Sequence, residues 1–332
     1  MRILVTGGCG FIGSNFVRYL LAEHPQDEVL NLDKLTYAGN PENLRDVSDD
    51  PRYTFLKGDI CEEEDVRAAF EWGPEAVVNF AAETHVDRSI TDPEAFVRTD
   101  VLGTFRLLNM ARDKGVRFLQ ISTDEVYGSI SEGSFSEESP LRPNSPYAAS
   151  KAGADLLVRS YVRTYGMDAL IVRSSNNYGP YQYPEKVIPL FVTNLIEGRK
   201  VPLYGDGSNV RDWLYVEDNC RAIDLVLRRG RSGEVYNVGA GQEKTNLELT
   251  RSILEIMGFG EDRIQHVADR PGHDLRYSVD SSKVRALGWE PRLDFRTGLE
   301  RTIEWYRRNQ DWWRPIKSGE FREYYLRRYG DV

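Results

Sequence analysis

The stretch RILVTGGCGFIGSNFVRYLLAEH, residues 2–24, runs a short apolar segment into clustered glycines and then into an amphipathic segment of helical length. The apolar segment reads as a strand and SNFVRYLLAEH as a helix, so the glycines fill a strand-to-helix turn. Gly7, Gly10 and Gly13 form GxxGxxG, while Gly8, Gly10 and Gly13 also satisfy GxGxxG. A glycine cluster alone is a weak signal, and one alternative is a turn that only packs helix on strand. Its setting strengthens it, because the next apolar run, DEVLNLD, ends on Asp33 about 20 residues on. Glycines let the backbone approach a pyrophosphate at a helix N-terminus, where free N–H groups and the dipole favour an anion. Asp33 suits an adenosine ribose and its charge repels a 2′-phosphate, so NAD is expected rather than NADP.

The same rhythm continues outward. YTFLKGD, AVVNFAAE, VRFLQIST and DALIVRS read as further strands separated by helix-length amphipathic segments. That alternation predicts an α/β fold, a doubly wound parallel sheet of the Rossmann type with helices on both faces. The run 93–115, with Pro93 near its start and Gly115 at its end, is expected as one helix. After about residue 175 the rhythm changes. NNYGPYQYPEK is rich in turn formers, VIPLFVTNLIEG and VEDNCRAIDLVLRRG read as helices, and EVYNVGAG returns to strand character. Two domains are expected: an NAD-binding unit over 1–175, and a smaller, mostly C-terminal substrate unit over 176–332, with segments near 213–240 rejoining the first.

At 332 residues the chain has room for two modest domains. Its net charge of −9 and the lack of an aromatic-interleaved basic run argue against nucleic acid or an anionic membrane as partner. Cys9, Cys61 and Cys220 are odd in number and far apart, which fits free thiols in a reducing compartment. His24, His85, His266 and His273 show no metal-ligand spacing, so no metal is expected. No long apolar span or signal-type leader is visible, and a cytoplasmic location is the default expectation.

Two tracts carry chemistry. In SPYAASKAG, Tyr147 and Lys151 lie four apart and share one helix face. A nearby ammonium lowers a phenol's pKa, which would make Tyr147 a base for an alcohol proton. In ISTDEVYG, residues 121–128, Asp124 and Glu125 stand together at the end of an apolar run. Adjacent acids after a strand often serve only as caps. They can also divide acid and base roles if their pKa values are split.

These motifs together resemble the extended short-chain dehydrogenase/reductase family: GGCGFIG, the acid at Asp33, GDI at 58–60, NFAAE at 79–83 and YAASK. Over nearly the whole chain the sequence is similar to the dTDP-glucose 4,6-dehydratases within it, through FAAETHVDRSI, STDEVYG, RSSNNYGPYQYPEKVIP, PLYGDGSNVRDW and DRPGHDLRY. The resemblance implies oxidation of a glucosyl C4 by NAD, loss of the C6 hydroxyl as water, and return of the hydride to C6. Tyr147 is then the base at the C4 hydroxyl, Thr123 bonds the C4 oxygen and Lys151 holds the nicotinamide ribose. Glu125 takes the C5 proton, and Asp124, kept protonated, supplies one to the C6 oxygen. Epimerases of the same architecture typically carry small or hydroxyl residues in place of these acids, since they expel no water. A catalytically idle NAD-binding regulator is the alternative from another class, and the intact set of five speaks against it.

The resemblance also carries over binding positions. For NAD these include Phe11 and Ile12 beside the glycines, Lys34, Leu35 and Thr36 after Asp33, and Asp59 and Ile60. Phe80, Ala81, Ala82, Thr99 and Asn177 complete that group. For dTDP-glucose they are Thr84, Asn176, Lys186 and Val187, then Pro202, Tyr204, Arg211 and Asn246, and finally Arg270, His273 and Tyr277. Family members pair as homodimers through two long helices, here 93–114 and 147–165. His85 reads as a structural residue, Tyr127 likewise, and Trp305, Trp312 and Trp313 read as packing of the last helix.

Overall fold

The computed structural model describes residues 1–269 and 272–318. Its strands, in chain order, are β1 (Arg2–Thr6), β2 (Glu28–Asp33), β3 (Tyr53–Lys57), β4 (Ala76–Asn79), β5 (Arg117–Thr123) and β6 (Ala169–Ser174). There follow β7 (Asn176–Tyr178), β8 (Val201–Tyr204), β9 (Val210–Tyr215), β10 (Val235–Val238), β11 (Glu243–Thr245) and β12 (Ile264–Val267). Seven of them form a sheet in the order β10-β6-β5-β4-β1-β2-β3, parallel at every pairing. The expected doubly wound sheet is therefore present. Strand order reverses between β1 and β4, and such a fold opens its ligand crevice there, beyond the strands' C-terminal ends.

Strands buried on both faces read as continuous apolar runs. In β1, Ile3 and Val5 pack into one core while Leu4 packs into the other, as alternating side chains require. The helices Phe11–Glu23 and Val216–Arg229 cover the first face, and Thr104–Lys114 with Pro146–Tyr165 cover the second. The remaining chain builds a smaller unit with a sheet β11-β9-β7, a pair β12-β8 and its own core around Phe191, Trp213 and Ile303.

Two sequence expectations change in detail. Segment 93–115 is interrupted: Pro93–Phe96 passes into a π-helical turn at Val97–Gly103 before Thr104–Lys114 resumes. A Cβ on Gly103 would come within 2.4 Å of Ile60 Cδ1, so the helix approaches the loop after β3 with no room to spare. The widened turn inserts a residue and presents Thr99 to the crevice, a use to which π-turns are often put. The second difference lies in 213–240. Residues 213–215 belong to β9 of the small sheet, and the chain returns to the large sheet only through Val216–Arg229 and β10.

Candidate active site

The glycines of the first turn shape a cradle. Gly7 has φ +70°, and a Cβ there would sit 2.7 Å from the Ala81 amide nitrogen. A Cβ on Gly13 would sit 2.3 Å from the Gly7 carbonyl oxygen, so helix and strand meet only because it has none. Helix Phe11–Glu23 starts at Gly10 with no side-chain cap and no acid in its first turn. Its opening N–H groups and dipole thus remain suited to an external anion. Asp33 accepts the Cys9 amide at one carboxylate oxygen and the Leu35 amide at the other, each at 2.8 Å. Each oxygen keeps a second lone-pair direction for a ribose hydroxyl.

The catalytic group collects at the end of β5. Thr123 caps a single turn, Asp124–Tyr127, accepting the Glu125 amide at 3.2 Å and donating to Asp124 Oδ1 at 3.3 Å. Capping and chemistry are thus compatible here: the turn is capped by Thr123, leaving both carboxylates to face other groups. Burial, then the neighbouring Glu125 and Asp212, push Asp124's carboxyl well above the usual carboxylate range, against the opposing Arg211. An acid kept protonated can donate. Tyr147 and Lys151 stand on helix Pro146–Tyr165, capped by Ser145, with Lys151 Nζ donating to the Ile121 carbonyl at 2.7 Å.

Tyr147 departs from the sequence expectation. Its phenol is pushed well above its ordinary value, first by burial and then by Glu125 and Asp100, with Thr123 in hydrogen-bonding reach pulling the other way. Glu125, Asp100 and Asp124 are the acidic side chains that share this interior. Asp100, on the π-turn, is itself pushed up to about 6 by burial while Lys151 opposes the shift. It accepts Ser150 Oγ at 2.5 Å and the Glu83 amide at 3.0 Å.

A cavity of about 290 Å³ joins cradle and catalytic group. Thr123, Asp124, Glu125, Tyr147 and Lys151 line it, and so does every sequence-predicted cofactor residue except Leu35. Leu35 instead packs against the core, its backbone at φ 60° turning the chain after Asp33. Buried Asn176 Oδ1, Asn177 Oδ1, Ser122 Oγ and Ser175 Oγ have no hydrogen-bond partner within the protein, and each of these residues lines the same wall. Buried polar atoms are nearly always paired, so this wall is built to meet polar ligand groups. An uncapped helix start, a ribose-ready acid and a polar wall fit NAD. Among the described residues no His, Cys, Asp and Glu grouping could hold a metal ion.

A family model described as GDP-mannose 4,6 dehydratase matches residues 4–302. A "dTDP-glucose 4,6-dehydratase" from Streptomyces niveus is 56% identical over 324 residues, covering 96% of each chain. A crystal structure of the Streptomyces venezuelae dTDP-glucose 4,6-dehydratase with NAD and dTDP bound is 57% identical and covers 96% of this chain and 100% of its own, with TM-score 0.93. The chain belongs to the dTDP-glucose 4,6-dehydratase family. The UDP-glucose 4-epimerase of Thermotoga maritima, 32% identical over 93% of this chain and 100% of its own, also superposes at TM-score 0.87. Backbone alone thus does not separate the dehydratase family from epimerases.

The dehydratase-family positions expected for the sugar nucleotide divide into two groups. Thr84, Asn176 and Lys186 line the cavity, with Lys186 Nζ donating to the Thr84 carbonyl at 2.9 Å. The others among the described residues lie in the small unit, outside the cavity wall. Arg211 donates to the Asp274 and Val210 carbonyls at 2.9 and 2.7 Å. Tyr204 donates to Asp87, and His273 Nδ1 is 2.7 Å from Asp269 Oδ1. Val187 and Asn246 open helices Val187–Ile196 and Asn246–Met257, and Pro202 sits in β8. Tyr277 points toward Glu125 and Asp274. Arg270 lies outside the described residues.

Some cavity residues escaped the sequence reading. Trp312, read there as packing, lines the cavity and donates to Asn43 Oδ1 at 2.8 Å, so the last helix reaches the NAD side. Glu185, inside the quoted PEK, also lines the cavity, near Arg88 and His85. Only its place in a family motif pointed to it. His85 accepts the Arg88 amide at the start of helix Val86–Thr91, and Tyr127 donates to Asn237 while accepting from Arg173, both structural uses.

Proposed function

We propose that the chain converts dTDP-glucose to dTDP-4-keto-6-deoxyglucose as an NAD-dependent hydro-lyase. The observation that carries this reading is the buried Asp124, its carboxyl pushed up by burial directly beside Glu125, in the same cavity as Tyr147. Bound NAD supplies the hydride acceptor for C4 and the hydride donor for C6. Tyr147 takes the C4 hydroxyl proton while Thr123 bonds that oxygen. Lys151, fixed by the Ile121 carbonyl, keeps one cation near the phenol. Once C4 is a ketone the C5 proton is acidic. Glu125 takes it, and Asp124 protonates the departing C6 hydroxyl, so water leaves with no free hydroxide formed. The C6 hydride and a C5 proton then saturate the C5–C6 bond while C4 stays a ketone, and the cofactor ends as it began.

The sugar nucleotide's diphosphate is assigned to Arg211, Lys186 and Arg270, with Asn176 and Asn246 beside it. Tyr204 and His273 complete that end of the site. The protein acts as a homodimer: Val97, Leu102, Phe105 and Leu156 are exposed apolar side chains on the two helices that such pairing would cover. Among the described residues no helix is long and apolar enough to cross a membrane, and a cytoplasmic location fits three buried, free cysteines. Incubation with dTDP-glucose tests the reaction. A product lighter by one water, with the alkaline absorbance of a 4-keto sugar, is expected. Unchanged mass with inverted C4 would show an epimerase instead.

A further inference from the structure

The small unit sends one loop back to the catalytic acids. Tyr277, only 3% exposed, places its hydroxyl 2.6 Å from Asp274 Oδ2 and 3.5 Å from Glu125 Oε2. Asp274 Oδ1 accepts Asn144 Nδ2 at 2.6 Å, so the acid is held as an acceptor on both oxygens. The Arg211 guanidinium lies 4.3 Å over the Tyr277 ring and also donates to the Asp274 carbonyl, fixing ring and acid together. A phenol has one proton. The short contact to Asp274 takes it. What the Tyr277 oxygen then turns toward Glu125 is a lone pair, which repels a carboxylate and accepts a hydrogen bond from a carboxylic acid.

We propose that Tyr277, its proton committed to Asp274, is a positioning residue that accepts a hydrogen bond from Glu125 once Glu125 has taken the substrate's C5 proton. The inference rests on Glu125 being the base. In that step the C5–H bond breaks, its proton goes to Glu125, and its electron pair becomes the C5–C6 double bond. The C6–O bond breaks and the oxygen leaves as water with Asp124's proton. No proton passes to Tyr277 or Asp274, which only complete the chain Glu125 to Tyr277 to Asp274. Asp124 and Tyr147 also face this acid, with Arg211 and Asp212 behind them. Tyr277, its oxygen 3.5 Å from Glu125 Oε2, is placed to respond to the proton on Glu125. This assigns Tyr277 to the elimination step, where the family resemblance pointed to the nucleotide base or ribose.

The test uses the full-length, NAD-loaded enzyme with dTDP-glucose. Tyr277→Phe removes the acceptor, so elimination slows about tenfold while C4 oxidation continues. Reduced nicotinamide then accumulates in a single turnover, and the acid limb of the kcat–pH profile moves to lower pH. Asp274→Asn frees the phenol proton to point at Glu125, and a larger slowing with a shift in the same direction is expected. This second variant is isosteric and keeps the question open to measurement if Tyr277→Phe folds poorly. A rise in KM alone, with acid limb and cofactor absorbance unchanged, would overturn the proposal and return Tyr277 to nucleotide binding. If Glu125→Gln eliminated water as fast as the parent, the base assignment would fail and this inference with it, a result distinct from failure of Tyr277 alone.

Discussion

The two walls of the crevice differ in how their polar groups are used. On the sheet side, the glycine turn, Asp33, Thr123 and the helix bearing Tyr147 present free lone pairs and N–H groups to one cavity. In the small unit, Arg211, Tyr204 and His273 spend their polar atoms on partners within the protein. A strand-to-helix turn sets its own geometry locally, so its ligand groups stand ready without the ligand. In the proposed sugar-nucleotide pocket, drawn from distant loops, these side chains would exchange such partners for a diphosphate. The contrast teaches that chemistry here is preorganised on one wall, and specificity is assembled on the other.

Substitutions on the sheet side are expected to hurt most. Tyr147→Phe should abolish reduction of the cofactor, with a loss of at least about 10³ in turnover. Asp124→Asn with Glu125→Gln should cut product formation by about 10²–10⁴ yet still permit C4 oxidation. Single-turnover absorbance of reduced nicotinamide separates the two outcomes, and failure of the second pair to form it would merge the roles that the comparison keeps apart. Gly7→Ala comes next. Its Cβ would collide with the Ala81 backbone at a φ that favours glycine, so lost NAD retention and a destabilisation of about 1–3 kcal/mol are expected by thermal melting.

In the small unit, Arg211→Met should strand the Asp274 and Val210 carbonyls and cost about 1–3 kcal/mol in urea unfolding, with KM raised more than kcat falls. An equal effect on C4 oxidation would place Arg211 with the preorganised wall. An effect confined to higher pH concerns Glu185, where the walls meet. Burial pushes its carboxyl up to about 7, against Lys186 and Arg88, with Tyr37 and Asp87 also nearby. The folded state then holds a proton that the unfolded chain has lost between the ordinary carboxylate range and about 7. Stability therefore falls as pH rises through that window, and the full penalty stands above it. Glu185→Gln, always neutral, should match the parent near the window's acid end and exceed it at about pH 8 by up to about 3 kcal/mol in urea unfolding.

Much of the first wall was legible because its signals are local. GGCGFIG and the acid at the end of DEVLNLD are fixed by a contiguous strand, turn and helix, and the alternating apolar runs dictated a parallel sheet. What sequence could not display was long-range electrostatics. The YxxxK spacing says that Lys151 is near Tyr147, but not that burial, with Glu125 and Asp100 in the same interior, pushes the phenol up. Nor does a packing-rich run such as WYRRNQDWW show that Trp312 crosses to Asn43, a contact between chain segments far apart in sequence. The π-turn at Val97–Gly103, where Gly103 meets Ile60 closely, carries no local signal either.

One cavity is proposed to oxidise C4, eliminate water across C5 and C6, and return the same hydride. dTDP-glucose carrying deuterium at C4 tests it most directly. The account predicts that the label is found at C6 of the 4-keto-6-deoxy product. Label lost to solvent, or retained at C4 of an unchanged or inverted sugar, would contradict it.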